Sequence, residues 1–178
     1  MDMYAMATSI EHNNITQSFV GTAYPLKRAG KLHTFCEEVS LVHYGRFGKG
    51  ETLSLVEIEK IDDRNDFIEN TIELLEYKQP DFMCFKDENK FITNKRKNRI
   101  AGCPNLIVEV WSPGNVDVDK NEKFKLYSSS QLTEYWSINY QQRIVECYVG
   151  GQKNWEKSIN QPLVTRWGFE FDLAYLYK

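Results

Sequence analysis

Three residues in the middle of the chain have side chains that could carry out acid–base or metal-dependent chemistry. Glu109 interrupts an apolar run at 106–111, Asp81 opens the segment DFMCFK 28 residues earlier, and Lys123 follows the run. A buried carboxylate is costly unless it is paired, protonated or bound to a metal. The simple explanations are an ion pair for Glu109 and a turn position for Asp81. The alternative is that both belong to a functional site.

The segment 104–136 contains the elements that would position these residues. Its first part, PNLIVEVW, predicts a central strand that is covered on both faces. Residues 112–115 (SPGN) have the composition of a turn, because proline and glycine do not continue a central strand. Asp119 followed by Glu122 matches a capping box that opens a helix.

This helix would carry Lys123 to the strand that contains Glu109. At 3.6 residues per turn, one side of the helix presents Lys120, Lys123, Phe124 and Tyr127, while Lys125 points away. The two aromatic residues would bury that side against the sheet. Lys123 and Glu109 therefore form either a structural ion pair or half of an active site.

The remaining sequence predicts an alternation of helices and strands. Residues 9–29 read as a helix that is capped by Ser9 and bent or ended by Pro25. The other expected elements are strands at 32–44 and 52–59 around a glycine-rich turn at 45–50, a helix or extended excursion at 62–77, a strand from Asp81, a hairpin at 134–139 and 143–149, and a final strand pair with a terminal helix.

Composition sets the outer limits. The 178 residues, of which 42% are hydrophobic and 13% aromatic, predict one globular domain over 1–178. No run approaches the roughly 20 apolar residues needed to cross a bilayer, and the early Asp2 argues against a secretory signal, so a cytoplasmic chain is expected. Four widely spaced cysteines without a C-x-x-C pair argue against zinc or a disulfide framework. The net charge of −3 argues mildly against non-specific nucleic-acid binding.

Several motifs together resemble the Uma-two family of putative restriction endonucleases, within the PD-(D/E)XK nuclease superfamily. The resemblance rests on PNLIVEVWSP, on the D-x-x-x-K-x-x-x-Y pattern of Asp119, Lys123 and Tyr127, and on EYW at 134–136. The segments YAMA at 4–7, EHN at 11–13 and QPDF at 79–82 also resemble the family. The resemblance implies an α/β (α+β) fold with a restriction-endonuclease-like core, in which helices flank a mixed central β-sheet.

The resemblance also implies a site and a reaction. Asp81 and Glu109, with the backbone carbonyl of Val110, would hold Mg²⁺ or Mn²⁺, and the reaction would be hydrolysis of a DNA phosphodiester. The usual superfamily lysine lies two residues after the glutamate, where this chain has Trp111. The resemblance implies that Lys123 takes over its catalytic role, with Lys120 as second choice. The supporting candidates are Glu11, His12 and Tyr127.

The most basic stretch of the chain, at 88–99, is the first candidate for DNA contact. Its five basic residues are Lys90, Lys95, Arg96, Lys97 and Arg99. Such side chains could contact phosphates, or they could belong to an ordinary solvated loop. A homodimer would suit cleavage of both strands of a duplex, although no residue of the sequence specifies one.

Two other functions fit the same sequence. The chain could be a catalytically inactive member of the fold that binds DNA or a protein partner. It could also be a metal-dependent hydrolase of another phosphate ester. Metal binding by Asp81 and Glu109, together with assays on DNA and on model phosphate esters, would separate the three.

Overall fold

The structure is a computed structural model, and it describes residues 10–36, 39–42, 77–87, 91–94, 99–102, 104–111, 117–128 and 131–177. In chain order the elements are α1 (Ile10–Arg28), β1 (Thr34–Cys36), β2 (Ser40–Val42), β3 (Tyr77–Lys78), β4 (Phe82–Phe85), β5 (Phe91–Asn94), β6 (Arg99–Gly102), β7 (Leu106–Trp111), α2 (Asp117–Ser128), β8 (Glu134–Asn139), β9 (Ile144–Val149), β10 (Gln152–Ser158), β11 (Leu163–Val164), β12 (Glu170–Phe171) and a 3₁₀ helix (Ala174–Tyr177).

The main sheet has six strands in the order β1-β4-β7-β8-β9-β10. Strands β7 and β8 are parallel, whereas the other neighbours in this sheet are antiparallel. A second sheet has the order β3-β2-β6-β5, and β11 pairs with β12. The predicted α/β (α+β) class with a mixed central sheet is therefore confirmed.

Strand β7 occupies the middle of the main sheet because apolar layers cover both of its faces. All six of its residues are buried. Leu106, Val108 and Val110 belong to the core layer that includes α1 residues, whereas Ile107 belongs to the layer that includes α2 residues. Since side chains alternate along a strand, Glu109 points toward the α2 side, together with Ile107 and Trp111.

Helix α1 covers the opposite face through residues spaced four apart. Ile15, Phe19 and Ala23 are fully buried. The Phe19 ring lies 5.4 Å from that of Phe82 and 4.9 Å from that of Phe171, measured between centroids. Truncation of such a residue to alanine typically costs about 3–5 kcal/mol. Packing of this face therefore holds α1 in place over the sheet.

The end of α1 agrees with the predicted boundary near Gly30. Gly30 has a φ of 69°, in the left-handed region that glycine adopts without strain. Its N–H donates to the carbonyl of Lys27, and the N–H of Lys31 donates to that of Leu26. These are the two bonds of a Schellman cap. Pro25 lies inside the helix, as its last turn begins.

The EYW motif anchors the C-terminal part of the chain to β8. Glu134 is fully buried, and its carboxylate accepts hydrogen bonds from Trp136 Nε1 at 2.7 Å and from the backbone N–H of Arg166 at 2.9 Å. The thiol of Cys147 donates to the same carboxylate at 3.4 Å. Three donors compensate the burial of this charge, so Glu134 has a structural explanation.

Two expectations about the elements need correction, and one strand was not predicted. The single strand expected at 32–44 is wrong, because β1 pairs in the main sheet and β2 in the second sheet. The Asp119 capping box is wrong as well, since α2 already begins at Asp117. Strand β10, a seven-residue strand that pairs with β9, was not predicted. Of the segment 62–77, expected to be a helix or an extended excursion, only Tyr77 is described, and it begins β3.

Several predictions fall outside the described residues. These are the turn at 45–50, the strand at 52–59, residues 62–76 and the turn at 112–115. The single domain over 1–178 also stays a prediction.

No helix in the described part of the chain is long and apolar enough to span a membrane.

Candidate active site

Glu109 and Lys123 form a close ion pair on the α2 side of the sheet. Lys123 Nζ donates to Glu109 Oε2 at 2.9 Å, and only 2% of the glutamate side chain and 16% of the lysine side chain are exposed. Charges taken out of water in this way are stable only when they are paired at close range. The predicted convergence of Lys123 on Glu109 is therefore present.

The position of Lys123 follows from packing of α2 against the sheet. Tyr127, one turn further along, is fully buried, and its ring lies 5.9 Å from that of Tyr135. Phe124 contacts Tyr135 as well, at 6.1 Å between centroids. These aromatic contacts hold the inner face of α2 against β8. Lys123 consequently reaches the neighbouring strand β7, and its ammonium also donates to the carbonyl of Gln79 at 3.3 Å.

Trp111 forms the floor beneath two lysines. The Nζ atoms of Lys120 and Lys123 each lie 5.7 Å from the centroid of its ring. Favourable cation–π attraction operates at such distances and strengthens when the groups are desolvated. Trp111 lies two residues after Glu109, on the same strand face, and contacts both lysines that are candidates for the catalytic role. The sequence alone did not predict these contacts.

Asp81 lies opposite Glu109 on the adjacent strand. Phe82 pairs with Val108, and the same antiparallel register continued by one residue places Asp81 across from Glu109. Oδ2 of Asp81 accepts a hydrogen bond from the Val110 N–H at 2.7 Å. The two candidate carboxylates therefore come from neighbouring strands.

The first helix contributes His12 to this cluster. His12 Nε2 lies 3.2 Å from Asp81 Oδ2. The hydrogen bond with Asp81 raises the pKa of His12 above its ordinary value, since the carboxylate favours the imidazolium. The charge of Lys123 acts on His12 in the opposite direction. Asp81, Lys123 and His12 thus interact electrostatically at one place.

Glu11 does not join this group. It is exposed, and its negative charge acts instead on Tyr177, whose pKa is raised chiefly by burial. Adjacent residues on a helix point about 100° apart, so His12 and Glu11 cannot both face Asp81. The sequence does not determine which of the two faces it, because the rotation of α1 on the sheet depends on packing.

The residues expected to contact DNA are mostly outside the described chain. Lys90, Lys95, Arg96 and Lys97 belong to the undescribed residues, and Arg99 is described only as the first residue of β6. Strands β5 and β6 are antiparallel, with Asn94 opposite Arg99. A role for these five residues stays a prediction.

The chemistry of the donor set suits a hard divalent cation. Asp81 and Glu109 offer carboxylate oxygens, which Mg²⁺ prefers, and Mg²⁺ commonly binds through one or two carboxylates while it keeps several waters. Within the described ranges, no cluster of three or more His, Cys, Asp or Glu side chains could hold a metal ion. The arrangement therefore differs from an all-protein metal cage and fits a site in which water and substrate complete the coordination.

The fold, with its mixed six-stranded sheet between α1 and α2, is that of a solved nuclease-like structure. The match is the crystal structure of "a putative nuclease belonging to DUF820" from Anabaena variabilis ATCC 29413, with a TM-score of 0.54 and 14% identity over 87% of this chain and 72% of that chain. At 14% identity, this structural likeness shows a shared fold. No curated protein matches the sequence significantly.

The family follows from the sequence itself. The family model described as "Uma2: Putative restriction endonuclease" matches residues 61–170, which is more than half of the chain. The chain therefore belongs to the Uma2 family, the Uma-two family that its motifs resemble. The resemblance is confirmed.

Proposed function

We propose that this Uma2 protein is an Mg²⁺- or Mn²⁺-dependent endodeoxyribonuclease of the PD-(D/E)XK type. The reaction adds water across a P–O bond of the DNA backbone and leaves a phosphate monoester and a free hydroxyl. The observation that carries the proposal is the contact of the Lys123 ammonium with the buried Glu109 carboxylate, at the strand position opposite Asp81.

Asp81 and Glu109, with the backbone carbonyl of Val110, would hold the cation. When bound, the cation lowers the pKa of a coordinated water and neutralises charge on the scissile phosphate. His12 would keep the Asp81 carboxylate in place through its contact with Oδ2. In this proposal, Glu11 has no role at the site because it is exposed and faces elsewhere.

Lys123 would orient the attacking water and stabilise negative charge on the phosphate. Its neighbour Lys120 is the second candidate because it contacts the same Trp111 ring. Tyr127 would support both lysines indirectly, since its burial holds α2 against the sheet. The basic residues at 88–99 would contact the DNA backbone and make binding fall with salt concentration.

Cleavage of supercoiled plasmid tests the proposal. The unaltered protein is compared with Asp81→Asn, Glu109→Gln and Lys123→Gln, in Mg²⁺, in Mn²⁺ and in EDTA. Glu122→Gln is the matched control, because Glu122 lies on the same helix in an exposed ion pair with Lys78 at 3.0 Å. We expect metal-dependent nicking by the unaltered protein and the control, and its loss in the three variants.

Calorimetric titration with Mn²⁺ separates metal binding from catalysis. Asp81→Asn and Glu109→Gln should weaken binding, whereas Lys123→Gln should retain it. Cleavage that persists in Glu109→Gln would contradict the assigned site. Hydrolysis of a model phosphate ester without DNA cleavage would indicate a metal-dependent hydrolase that acts on another phosphate ester.

A catalytically inactive DNA- or protein-binding module is the second candidate function. Two contacts favour it: Lys123 engages Glu109, and the Val110 N–H engages Asp81, so each carboxylate already has a partner within the chain. This candidate predicts DNA affinity that is unchanged by Glu109→Gln and no Mn²⁺ binding.

If cleavage does occur, two measurements test the expected homodimer. They are linearisation of plasmid in a single binding event and sedimentation of the free protein.

A further inference from the structure

An open depression lies at the C-terminal end of α1, away from the candidate active site. It has a volume of about 440 Å³ and is lined by Tyr24, Lys27, Arg28 and Phe35. This volume falls within the range of about 300–1,000 Å³ that is typical of small-molecule sites. Tyr24, Lys27 and Arg28 belong to the last turns of α1, whereas Phe35 belongs to β1, the edge strand of the main sheet.

The aromatic residues form a platform and a wall. Tyr24 is 60% exposed, although it is one of the larger apolar side chains. Its ring meets that of Phe35 edge-on, at 6.1 Å between centroids and 66° between planes. Phe35 in turn lies against the core residue Phe82, at 6.3 Å. The core thus supports Phe35, and Phe35 supports Tyr24, whose ring remains available to a ligand.

The cations surround this platform. Lys27 Nζ lies 5.8 Å from the centroid of the Phe35 ring, and Arg28 is exposed in the same lining. Lys31 follows, and the stretch 12–36 contains no Asp or Glu, although the whole chain has 25 of them. Basic residues in a last helical turn also favour the helix dipole. The dipole gives no reason for an exposed tyrosine beside Lys27 and Arg28.

Aromatic rings beside cations are the combination that binds unpaired nucleotides. A base stacks on the ring, and the cations contact the adjoining phosphates. We propose that Tyr24, Lys27, Arg28 and Phe35 form a binding site for single-stranded nucleic acid, with a base on Tyr24 and backbone phosphates on Lys27 and Arg28. This inference rests on the proposed function for its choice of a nucleic-acid strand over a free nucleotide.

The position of the site on α1 supports a strand as the occupant. His12 and Tyr24 are twelve residues apart on one helix, which corresponds to about 18 Å along its axis and about 120° around it. This distance spans roughly five phosphate spacings of a stacked strand, at about 3.4 Å each. A strand whose phosphate lies at the Asp81 cluster, and which follows the surface of α1 around this angle, could therefore reach Tyr24 about five or more nucleotides away. The site would hold the unpaired strand beside the cleavage position.

Binding of a fluorescent oligonucleotide of about 12 thymidines, near the upper site size of a single binding fold, tests the inference. The assay is done in EDTA, so that it reports affinity without cleavage. Tyr24→Leu should weaken binding by about 5- to 150-fold, the effect of losing one stacked base, whereas Tyr24→Phe should stay within about twofold because the ring is retained. Lys27→Gln/Arg28→Gln should reduce the slope of log affinity against log salt by about 1.4, for two lost phosphate contacts.

The controls separate this site from a general charge effect and from the active site. Lys125→Gln removes an exposed lysine on the other helix and should leave the affinity unchanged. Circular dichroism and thermal unfolding establish that each variant is folded. A duplex of the same length should bind Tyr24→Leu as it binds the unaltered protein, since its bases are not free to stack.

Three results would overturn the inference. They are unchanged oligonucleotide affinity in Tyr24→Leu, an equal loss of duplex affinity in that variant, and thymidine monophosphate binding as tightly as the oligonucleotide. Absence of plasmid cleavage overturns the nuclease proposal alone, because the binding assay contains no metal. Cleavage together with Tyr24-independent binding overturns only the strand site.

Discussion

Replacement of Lys123 by methionine measures how strongly the protein depends on the ion pair beneath α2. Methionine keeps most of the side-chain volume and removes the ammonium, so the buried Glu109 carboxylate loses its cationic partner. Removal of one member of a buried pair typically costs about 3–5 kcal/mol. Lys123 retains 16% exposure, which partly screens its charge and favours the lower end. We expect a loss of about 3 kcal/mol in the free energy of unfolding.

Urea and thermal unfolding in EDTA measure this loss without a divalent cation that could compensate the carboxylate. For a domain of this size, about 3 kcal/mol corresponds to a fall in Tm of about 6–12 °C. The double variant Lys123→Met/Glu109→Gln removes both charges and should be more stable than Lys123→Met by about 1 kcal/mol or more. This difference between the double and the single variant identifies the loss of the ion pair, rather than the change in side-chain packing, as the cause of the destabilisation.

The exposed pair on the same helix is the reference. Lys78 and Glu122 are 3.0 Å apart, close to the 2.9 Å of the buried pair, but 59% of the Glu122 side chain is exposed. Glu122→Gln should therefore cost at most about 1 kcal/mol. If Lys123→Met costs no more than Glu122→Gln, burial does not control the strength of the pair, and the reasoning about Glu109 is refuted.

Three further predictions concern other parts of the chain. His12 has a pKa raised by its carboxylate partner, so its contribution to stability is complete below pH 6.5, the ordinary histidine pKa, and is lost as the pH rises through the raised value. His12→Asn should consequently lower the free energy of unfolding of the metal-free protein, measured in urea, more at acid pH than at alkaline pH. An equal loss of stability at both pH values would contradict this. Glu134→Gln should lower the free energy of unfolding by about 2 kcal/mol, because the amide N–H₂ group of the glutamine would face a donor that now binds the carboxylate. The exposed variant Glu170→Gln is the control and should change this free energy little. Cys84 and Cys147 are buried and have pKa values raised by burial, so mass spectrometry should find them unmodified by iodoacetamide at pH 8 until the chain unfolds.

Local sequence patterns were sufficient for the elements around Glu109. A largely apolar run and a helix with one apolar side each depend on neighbouring residues. Strands β7 and β8 lie where these patterns predict them, and α2 begins two residues before the predicted Asp119. The break in the run at Glu109 also pointed to a partner, since an isolated buried charge is unfavourable. Spacing on the helix then selected Lys123 over Lys125.

Long-range pairing limited the prediction elsewhere. The composition of residues 32–44 predicts one strand, but β1 pairs with residues 82–85 and β2 pairs with residues 99–102. Strand β10 has a largely polar and exposed sequence, so hydrophobic periodicity gave no sign of it. Its strand conformation comes from hydrogen bonding to β9 at the edge of the sheet.

The sequence by itself determined which residue types could form the site, because Glu109 interrupts an apolar run, Asp81 opens a strand and Lys123 lies on the apolar side of a helix. Only the tertiary structure decided how they meet. The register of β4 against β7 places Asp81 opposite Glu109, and the rotation of α1 brings His12 rather than Glu11 to Asp81. Tyr24 and Phe35 likewise share one depression only because α1 packs beside the edge strand. Register and helix rotation depend on the sum of many side-chain contacts across the core, which no local pattern contains.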